Sequence, residues 1–279
     1  MARLRVVHTS TFRYAGPVAA SYNEARMTPL SQIGQTVLET RLDVKPHTWW
    51  HEYRDYWGSA VTAFEVLAPH ESLVITAEHV VDVAERVPGR APVGWDVLRG
   101  PELRDRLAEF LADTPTTEPP EEVVALAHQA ADGLEPAQAA EAVCRALRDR
   151  VDYIPGATTV HTPATEAWAA GAGVCQDIAH LAVGALRSIG IPARYVSGYL
   201  HPRFDAPVGE TVSGESHAWV EWWTGEWTAY DPTNRVPVGE HHVVLARGRS
   251  YDDVAPLRGI YAGAGTQELA VEVRITREA

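Results

Sequence analysis

The sequence predicts an α+β protein in which an N-terminal antiparallel β domain precedes a domain of mixed helices and strands. Segments that alternate apolar and polar residues fill roughly the first 85 positions, helical periodicity follows, and alternating segments return after residue 192. The 279 residues are enough for one large domain or two ordinary ones. We place the boundary after residue 95, so that residues 1–95 form the β domain and residues 96–279 form the second domain with its C-terminal strands.

The N-terminal domain is predicted from four segments rich in Val, Ile and Thr, which favour strands. They are "LRVVHTSTFRYA", "TVLETRLDVKP", "SAVTAFEVLAP" and "ESLVITAEHVVDVAE". The connection "HTWWHEYRDYWGS" carries a dense group of aromatic residues, which favours a core or a domain interface over an exposed binding platform. The stretch "RVPGRAPVGWDVLRGP" that follows is typical of a crossover between domains.

Helices are predicted in the middle of the chain. The segments "PELRDRLAEFLAD", 121–131 and "PAQAAEAVCRALRDRV" have helical composition. In "HTPATEAWAAGAG" we expect a short helix with Thr162 as its N-cap and Pro163 as its first residue. Strands are then predicted in "ARYVSGYL", "SHAWVEWW", "EWTAYDPT", "HHVVLARG" and "QELAVEVRIT".

One helix, in "GAGVCQDIAHLAVGALRSIGIP", has a cysteine at its start. Apolar residues recur at helical spacing from Ile178 to Ile189, and Gly190 and Pro192 end the helix. Cys175 therefore lies in or just before the first turn, where unpaired N–H groups and the positive end of the helix dipole favour an anion. A cationic neighbour would make the thiolate of such a cysteine the reactive form.

The second cysteine, Cys144, differs from Cys175 in its surroundings. Cys144 shares an apolar helix face with Ala140 and Leu147, so we interpret it as structural. The same interpretation, a small buried apolar side chain, is the alternative for Cys175 until a partner is found.

A thiolate nucleophile needs a base, and the base needs an orienting group. His180 comes five residues after Cys175, and five residues turn a helix by about 500°, which places it off the cysteine's face. We expect His180 to be a packing residue or a residue that supports the site from behind the catalytic groups. The better candidates are His217 and Asp231, which lie in two consecutive predicted strands.

The geometry of the predicted hairpin decides whether His217 and Asp231 can meet. If the loop comprises Thr224 to Glu226, Asp231 becomes the diagonal neighbour of His217 on the same face, with backbones about 7–8 Å apart. A two-residue loop would place Asp231 on the opposite face unless a bulge intervenes. Taken singly, His217 could be a surface histidine and Asp231 part of an Asp-Pro turn; the order Cys, His, Asp favours a catalytic group.

The composition excludes several classes of function. The formal net charge of −13 argues against binding to nucleic acid or to anionic membranes. Two cysteines cannot form a disulfide framework, and the charged N-terminal segment does not resemble a signal peptide. We therefore expect a cytoplasmic protein.

Neither a metal nor another cofactor is expected. The sequence has no CxxC, HExxH or calcium-loop motif and no glycine-rich phosphate loop. His241 and His242 are adjacent, so in a strand they would point to opposite faces and could not easily chelate one ion.

Three segments together resemble the motifs of the transglutaminase-like superfamily: "GVCQDIAHL", "SHAWVEWW" and "WTAYDPTN". The chain is most similar to bacterial transglutaminase-like proteins with an additional N-terminal β domain. The resemblance implies a papain-like core in which Cys175 is the nucleophile, His217 the base and Asp231 the orienting residue. It leaves the reaction open, since relatives include cross-linking enzymes, peptidases and inactive members, and it does not imply calcium activation.

The chemistry expected from this triad is acyl transfer from a carboxamide or peptide bond through a thioester. The N–H of Cys175 and one further donor would hold the oxyanion, and Gln176 and Tyr153 are the candidates for that donor. Trp219 is a candidate for substrate contact, since strand tryptophans could shield the thioester from water, although tryptophans in strands more often belong to the core. The expected partner is a protein or peptide substrate, with an amine as a second substrate if the enzyme cross-links.

Two alternatives to acyl transfer stay open, together with a third that we disfavour. A cysteine peptidase or amidase would use the same triad. A non-catalytic binding protein would keep only the fold, although such a scaffold has no reason to retain all three residues. A thiol-redox protein is disfavoured because no second cysteine lies near Cys175 in the sequence.

Overall fold

A computed structural model describes residues 1–85, 89–203, 205–214 and 216–279. The N-terminal part contains five strands: β1 (Ala2–Thr28), β2 (Gln35–Lys45), β3 (Trp49–Arg54), β4 (Ala60–Val66) and β5 (His70–Val83). Four of them lie where the alternating segments predict them, and β3 is formed by the aromatic connection. The predicted α+β class with an N-terminal antiparallel sheet is confirmed.

The middle of the chain is mainly helical. It contains α1 (Trp95–Arg99), α2 (Pro101–Arg106), a 3₁₀ turn (Ala108–Phe110), α3 (Glu121–Ala131), α4 (Pro136–Arg148), the short strand β6 (Asp152–Tyr153), α5 (Ala164–Ala170), the short strand β7 (Ala172–Gly173) and α6 (Cys175–Ser188). The start of α5 differs by one residue from the prediction: Pro163, with extended backbone, takes the N-cap position expected for Thr162. Its fixed φ still suits entry into a helix.

The last part of the chain returns to strands. They are β8 (Ala193–Leu200), β9 (Thr211–Gly214), β10 (Ser216–Trp223), β11 (Trp227–Asp231), β12 (Val236–Pro237), β13 (His242–Gly248), β14 (Leu257–Gly263) and β15 (Gln267–Arg277), with a short helix α7 (Tyr251–Val254) between β13 and β14. In the described residues no helix is both long and apolar enough to cross a membrane. The cytoplasmic location stays a prediction.

Eight of the described strands form one sheet around the long strand β1. Their main order is β2-β5-β1-β15-β9, and β14 and β4 pair with the second half of β1, with β3 paired to β4. The strands that complete this sheet, β9, β14 and β15, come from the far end of the chain. The division after residue 95 stays a prediction, but the N-terminal sheet is not made from residues 1–95 alone.

A second sheet of five strands, which we call the core sheet, has the order β12-β11-β10-β8-β13. Helix α6 packs against one of its faces. Alternate residues of β10 serve that contact: Ala218, Val220 and Trp222 are buried in the cluster that contains the apolar side of α6. Residues at the odd positions of β10 point to the other face. One face of β10 therefore packs against α6, and the other face carries His217.

The two sheets are joined by buried polar contacts. His8 Nδ1 and the hydroxyl of Tyr199 lie 2.9 Å apart in a buried hydrogen bond between β1 and β8. The Gln35 side chain donates to the carbonyl of Val244 at 2.9 Å and accepts the Val244 N–H at 2.8 Å, as a neighbouring strand would. The N-terminal part thus covers the free edge of β13.

The aromatic segment before β4 is mainly exposed, so the expectation of a core or interface was wrong for most of its residues. Trp49, Trp50, Tyr53 and Tyr56 are exposed large side chains. Trp57 alone of this group packs on a ring of the second domain, that of Phe110, with centroids 5.7 Å apart. Every residue of β3 is exposed, and Tyr56 lies in the turn after this strand.

Candidate active site

Cys175 is the first residue of α6, as the sequence predicts, and it is partly exposed. The helix start is held by Asp177, whose Oδ2 accepts the N–H of Val174 at 2.8 Å and the hydroxyl of Thr158 at 2.5 Å. Gly173 is required here, because a Cβ at that position would lie 2.8 Å from the Asp177 carboxylate. The small residues before the cysteine therefore allow the capping carboxylate to fold back over the chain.

The hairpin of β10 and β11 has a three-residue loop, the length that allows His217 and Asp231 to lie on the same face. Trp223 pairs with Trp227, which leaves residues 224–226 as the loop. The predicted arrangement on one face is confirmed: His217 Nε2 and Asp231 Oδ2 are 2.8 Å apart.

His217 lies between Asp231 and Cys175. Its Nε2 faces Asp231. The ring also hydrogen bonds with the Cys175 thiol, and Nδ1 is the ring nitrogen left for that bond. Burial disfavours the charged ring, but the hydrogen bonds and charges of Asp231 and Cys175 outweigh it and raise the pKa of His217 above its ordinary value. The ring is therefore held as an imidazolium beside the thiol.

Asp231 is fully buried and accepts four hydrogen bonds. Its Oδ2 faces His217 Nε2 at 2.8 Å, His242 Nε2 at 3.2 Å and Asn234 Nδ2 at 2.7 Å, and its Oδ1 accepts the Asn234 N–H at 3.1 Å. Burial disfavours the carboxylate, but these donors overcome it and hold the pKa of Asp231 well below its ordinary value. Asp231 is thus a buried permanent anion.

The ligand atoms of His217, Asp231 and His242 lie within 4.8 Å of one another, a spacing that a metal ion could bridge. The Gly239 N–H points to His242 Nδ1 at 3.4 Å, so the proton of the neutral ring is on Nε2 and is directed at Asp231. A metal would have to displace this proton and reverse the tautomer. The donor directions fit a hydrogen-bonded cluster better than a metal site.

A cleft of about 560 Å³ opens beside His217. Its lining comes from both sheets and from the segment after α4, and includes Arg148, Tyr153, Ser213, Asn234 and Glu272. Tyr153, predicted as an oxyanion donor, lies in β6, which pairs with the chain immediately before Cys175. Tyr153 and His217 therefore both line this cleft.

The other two predicted contact residues are placed differently. Gln176 is buried, and its amide donates to the carbonyl of Thr159 at 3.4 Å. Trp219 has no exposed surface, which overturns the expectation that it contacts substrate. Trp219 instead lies beside two rings of the site, with centroid distances of 6.1 Å to His217 and 5.3 Å to His242.

His180 is a core residue, as expected. It is fully buried, its Nε2 accepts the N–H of Tyr251 at 3.0 Å, and its ring lies against Tyr195. Burial lowers the pKa of His180 to about 3, so the ring stays neutral.

Sequence analysis missed two residues of the site, Asn234 and His242. A signal for Asn234 existed, since Asp and Asn three residues apart commonly close a turn through their side chains. In the sequence, His242 stands out only as half of an unsuitable metal pair. It comes from β13, which is separated from β10 by β8, and no local pattern indicates that contact.

Comparison with known proteins agrees with this architecture. The chain matches the bacterial transglutaminase-like N-terminal region over residues 4–82 and the transglutaminase-like superfamily over residues 124–232. The uncharacterized protein ML0607 of Mycobacterium leprae is 47% identical over 277 residues, which cover 99% of each chain. The chain belongs to the transglutaminase-like superfamily, in its bacterial form with the additional N-terminal region.

Two further relatives bear on the core. A protein-glutamine gamma-glutamyltransferase of Pseudomonas aeruginosa is 36% identical over 119 residues, which cover 38% of this chain and 18% of that enzyme. The crystal structure of a candidate cysteine protease from Cytophaga hutchinsonii superposes with a TM-score of 0.77 at 21% identity, covering 99% of this chain and 91% of that one. At that identity the likeness shows the fold alone.

Proposed function

We propose that the protein is a cysteine-dependent acyltransferase that acts on the carboxamide or peptide bond of a protein or peptide. The observation that carries the proposal is the continuous chain from Cys175 at a helix start, through the buried His217 ring, to the permanently ionised Asp231. The three groups have the roles of nucleophile, acid–base and orienting residue.

In the first half-reaction the Cys175 thiolate attacks the carbonyl carbon of the donor. The carbonyl electrons move to oxygen, and they return as the C–N bond breaks and the imidazolium of His217 gives its proton to the departing amine. The product is a thioester on Cys175 and a neutral His217 ring. Asp231 stays ionised throughout and keeps the ring in the tautomer whose Nε2–H it accepts.

In the second half-reaction an amine or a water molecule attacks the thioester. Neutral His217 takes the proton of the attacking group as the C–S bond breaks, which restores the thiolate and the imidazolium. Transfer to an amine gives a new amide, and transfer to water gives an acid. Both outcomes use the same residues.

The oxyanion formed in each half-reaction needs two donors. The backbone N–H of Cys175 is one, because the first N–H groups of a helix have no intrahelical partner. Tyr153 is the better side-chain candidate for the other, because it lines the cleft and its strand β6 pairs with the chain just before Cys175.

The preferred donor is a glutamine carboxamide and the preferred acceptor an amine. The 119-residue similarity to a protein-glutamine gamma-glutamyltransferase supports this preference. The fold shared with a candidate cysteine protease makes hydrolysis of a peptide or amide bond the second candidate.

The test is incubation of the protein with a glutamine-rich protein such as casein and a fluorescent primary amine. We expect amine incorporation by wild type and by Cys144→Ala, and none by Cys175→Ala. Ammonia release or peptide cleavage without incorporation, still dependent on Cys175, would identify the hydrolase. Neither product from any variant, over a panel of glutamine and peptide donors, would contradict the proposal.

A further inference from the structure

His242 reaches the same carboxylate oxygen as His217, although the two histidines come from strands that are not neighbours. His242 begins β13, β8 lies between β13 and β10, and yet His242 Nε2 is 3.2 Å from Asp231 Oδ2. With His217 at 2.8 Å, two imidazole rings share one oxygen. Such sharing requires both rings to be held from several sides.

The direction of the His242 hydrogen bond follows from its other nitrogen. Nδ1 receives the N–H of Gly239 at 3.4 Å, so Nδ1 is the acceptor of the neutral ring and Nε2 carries the proton. The bond to Asp231 is therefore donated by His242. His217 also donates to this oxygen, and so does the Asn234 amide at 2.7 Å.

Packing leaves the His242 ring little freedom. The side chain is 1% exposed, and its ring meets the edge of Trp219 at 5.3 Å and 78°. Trp219 passes across β8 at Gly198, where a Cβ would lie 2.4 Å from the indole. A glycine in the intervening strand thus lets one tryptophan contact both imidazole rings.

The strand that carries His242 is anchored to the N-terminal part of the protein. Two residues along β13 from His242, Val244 forms its two hydrogen bonds with the Gln35 side chain. The position of His242 therefore depends on Gln35 of β2, a strand that does not itself contribute a residue to the site. This dependence gives the N-terminal sheet a connection to Asp231.

We propose that His242 is a positioning residue of this site: it donates its Nε2–H to Asp231, holds the carboxylate against His217 and takes up part of its charge. A carboxylate oxygen that serves three donors attracts each proton less strongly than one that serves two. His217 can then give its proton to the departing amine more readily than it could if His242 did not donate to Asp231. The effect of His242 on the reaction rate rests on the proposed acyl transfer, but its effect on the titration of His217 can be measured without any reaction.

Charged and titratable groups surround His242 on several sides; Glu221 and Arg247, which are paired with each other, line a cleft together with it. Asp231 and His217 face its Nε2 side, His241 is its neighbour in the chain, and Glu240 lies beyond His241. Of these, only Asp231 is hydrogen bonded to the His242 ring. A change in the titration of His217 can therefore be traced through Asp231 once the His241 side chain is controlled for.

The experiment is NMR titration of the His217 ring in ¹⁵N-histidine-labelled protein, assigned by loss of its signal in His217→Gln. We expect His242→Phe, which cannot donate, to raise the pKa of His217 by about 0.5 to 1, and the acyl-transfer rate to fall about 10-fold. His242→Gln, whose amide can donate, should restore most of both. His241→Gln is the matched control and should change neither.

An unchanged titration of His217 in a folded His242→Phe protein would overturn the inference, as would equal effects of His242→Phe and His242→Gln. If His242→Phe does not fold, His242→Asn carries the same expectation, because its shorter side chain does not reach Asp231. The titration needs no turnover. Failure of the acyl-transfer assay and failure of this inference are therefore distinguishable.

Discussion

Cys144 and Cys175 are the same side chain in two helices, and they differ in almost every physical respect. Cys144 lies in the middle of α4, has no exposed surface, and burial raises the pKa of its thiol. Cys175 begins α6, is partly exposed, and hydrogen bonds with a histidine whose partner is a buried carboxylate. We therefore expect the two thiols to differ in reactivity because of the helix start and its polar neighbours.

The largest expected effect is the difference in alkylation between the two thiols. At neutral pH, iodoacetamide should modify Cys175 at least about 10³-fold faster than Cys144, because a buried thiol reacts only after local opening. Peptide mass spectrometry over a time course measures both rates in one sample. Equal, slow labelling of both cysteines would remove Cys175 as a nucleophile.

Removal of His217 should make Cys175 behave more like an ordinary thiol. In His217→Ala the base and the counter-ion of the thiolate vanish together, so we expect turnover to fall by about 10³–10⁴-fold and neutral-pH alkylation of Cys175 to slow. The matched control is His241→Gln, a buried histidine outside the triad. A His217→Ala protein that alkylates like wild type at every pH would show that the helix start alone activates the thiol.

Asp231→Asn should have a smaller effect on turnover, about 10²-fold, and should move alkylation of Cys175 to higher pH. All four contacts of the carboxylate are with N–H donors, so either orientation of an asparagine amide directs its NH₂ at a donor. We expect a loss of stability of about 1–3 kcal/mol as well. Urea denaturation and the pH profile of alkylation measure the two effects. If the profile stays in place while His217→Ala shifts it, Asp231 is structural and the triad is a dyad.

The smallest expected effect concerns Asp177, which caps the helix that begins at Cys175. Burial raises its pKa above the ordinary 3.8, so this carboxyl stabilises the fold below that value and the contribution is lost as pH rises through its folded pKa. Asp177→Asn keeps an acceptor for Val174 and Thr158 but does not titrate. Relative to wild type, the variant should therefore gain stability between about pH 4 and pH 7, by about 1.4 kcal/mol for each pKa unit of the elevation.

Urea denaturation of wild type and Asp177→Asn at both pH values gives the difference in their free energies of unfolding. The contributions of other titrating groups are the same in both proteins and cancel in this difference. Glu166→Gln, an exposed acid in the first turn of α5, is the control and should show no such trend. If Asp177→Asn instead loses stability relative to wild type from pH 4 to pH 7, the Asp177 anion stabilises the helix start.

The features that could be predicted from sequence are those whose causes are local. The periodicity after Cys175, the glycine before it and the turn residues between β10 and β11 each act over a few positions, and α6 and the hairpin form as expected. The contacts that turned out differently are long-range. Alternation in the last segment predicts a strand but cannot indicate that β15 pairs with β1, more than 250 residues away in the chain.

The same limit explains the errors at the site. His242 reaches Asp231 from β13, and the pairing of β13 with β8 has a bulge between Val244 and Ala246 that changes which residues of β13 share a face. The burial of Trp219 depends on the missing side chain of Gly198 in that intervening strand. Neither contact has a signature within β10 itself.

The most direct test of the central claim is to trap the acyl group on the thiol. Incubation with p-nitrophenyl acetate should release one equivalent of nitrophenol in a burst and leave an acetyl thioester on Cys175, removable by hydroxylamine and located by peptide mass spectrometry. Cys144→Ala should behave as wild type, and Cys175→Ala should show neither burst nor adduct. A burst that survives in Cys175→Ala, or a folded wild-type protein that forms no thioester at Cys175, would contradict the assignment of Cys175 as the acyl-accepting nucleophile.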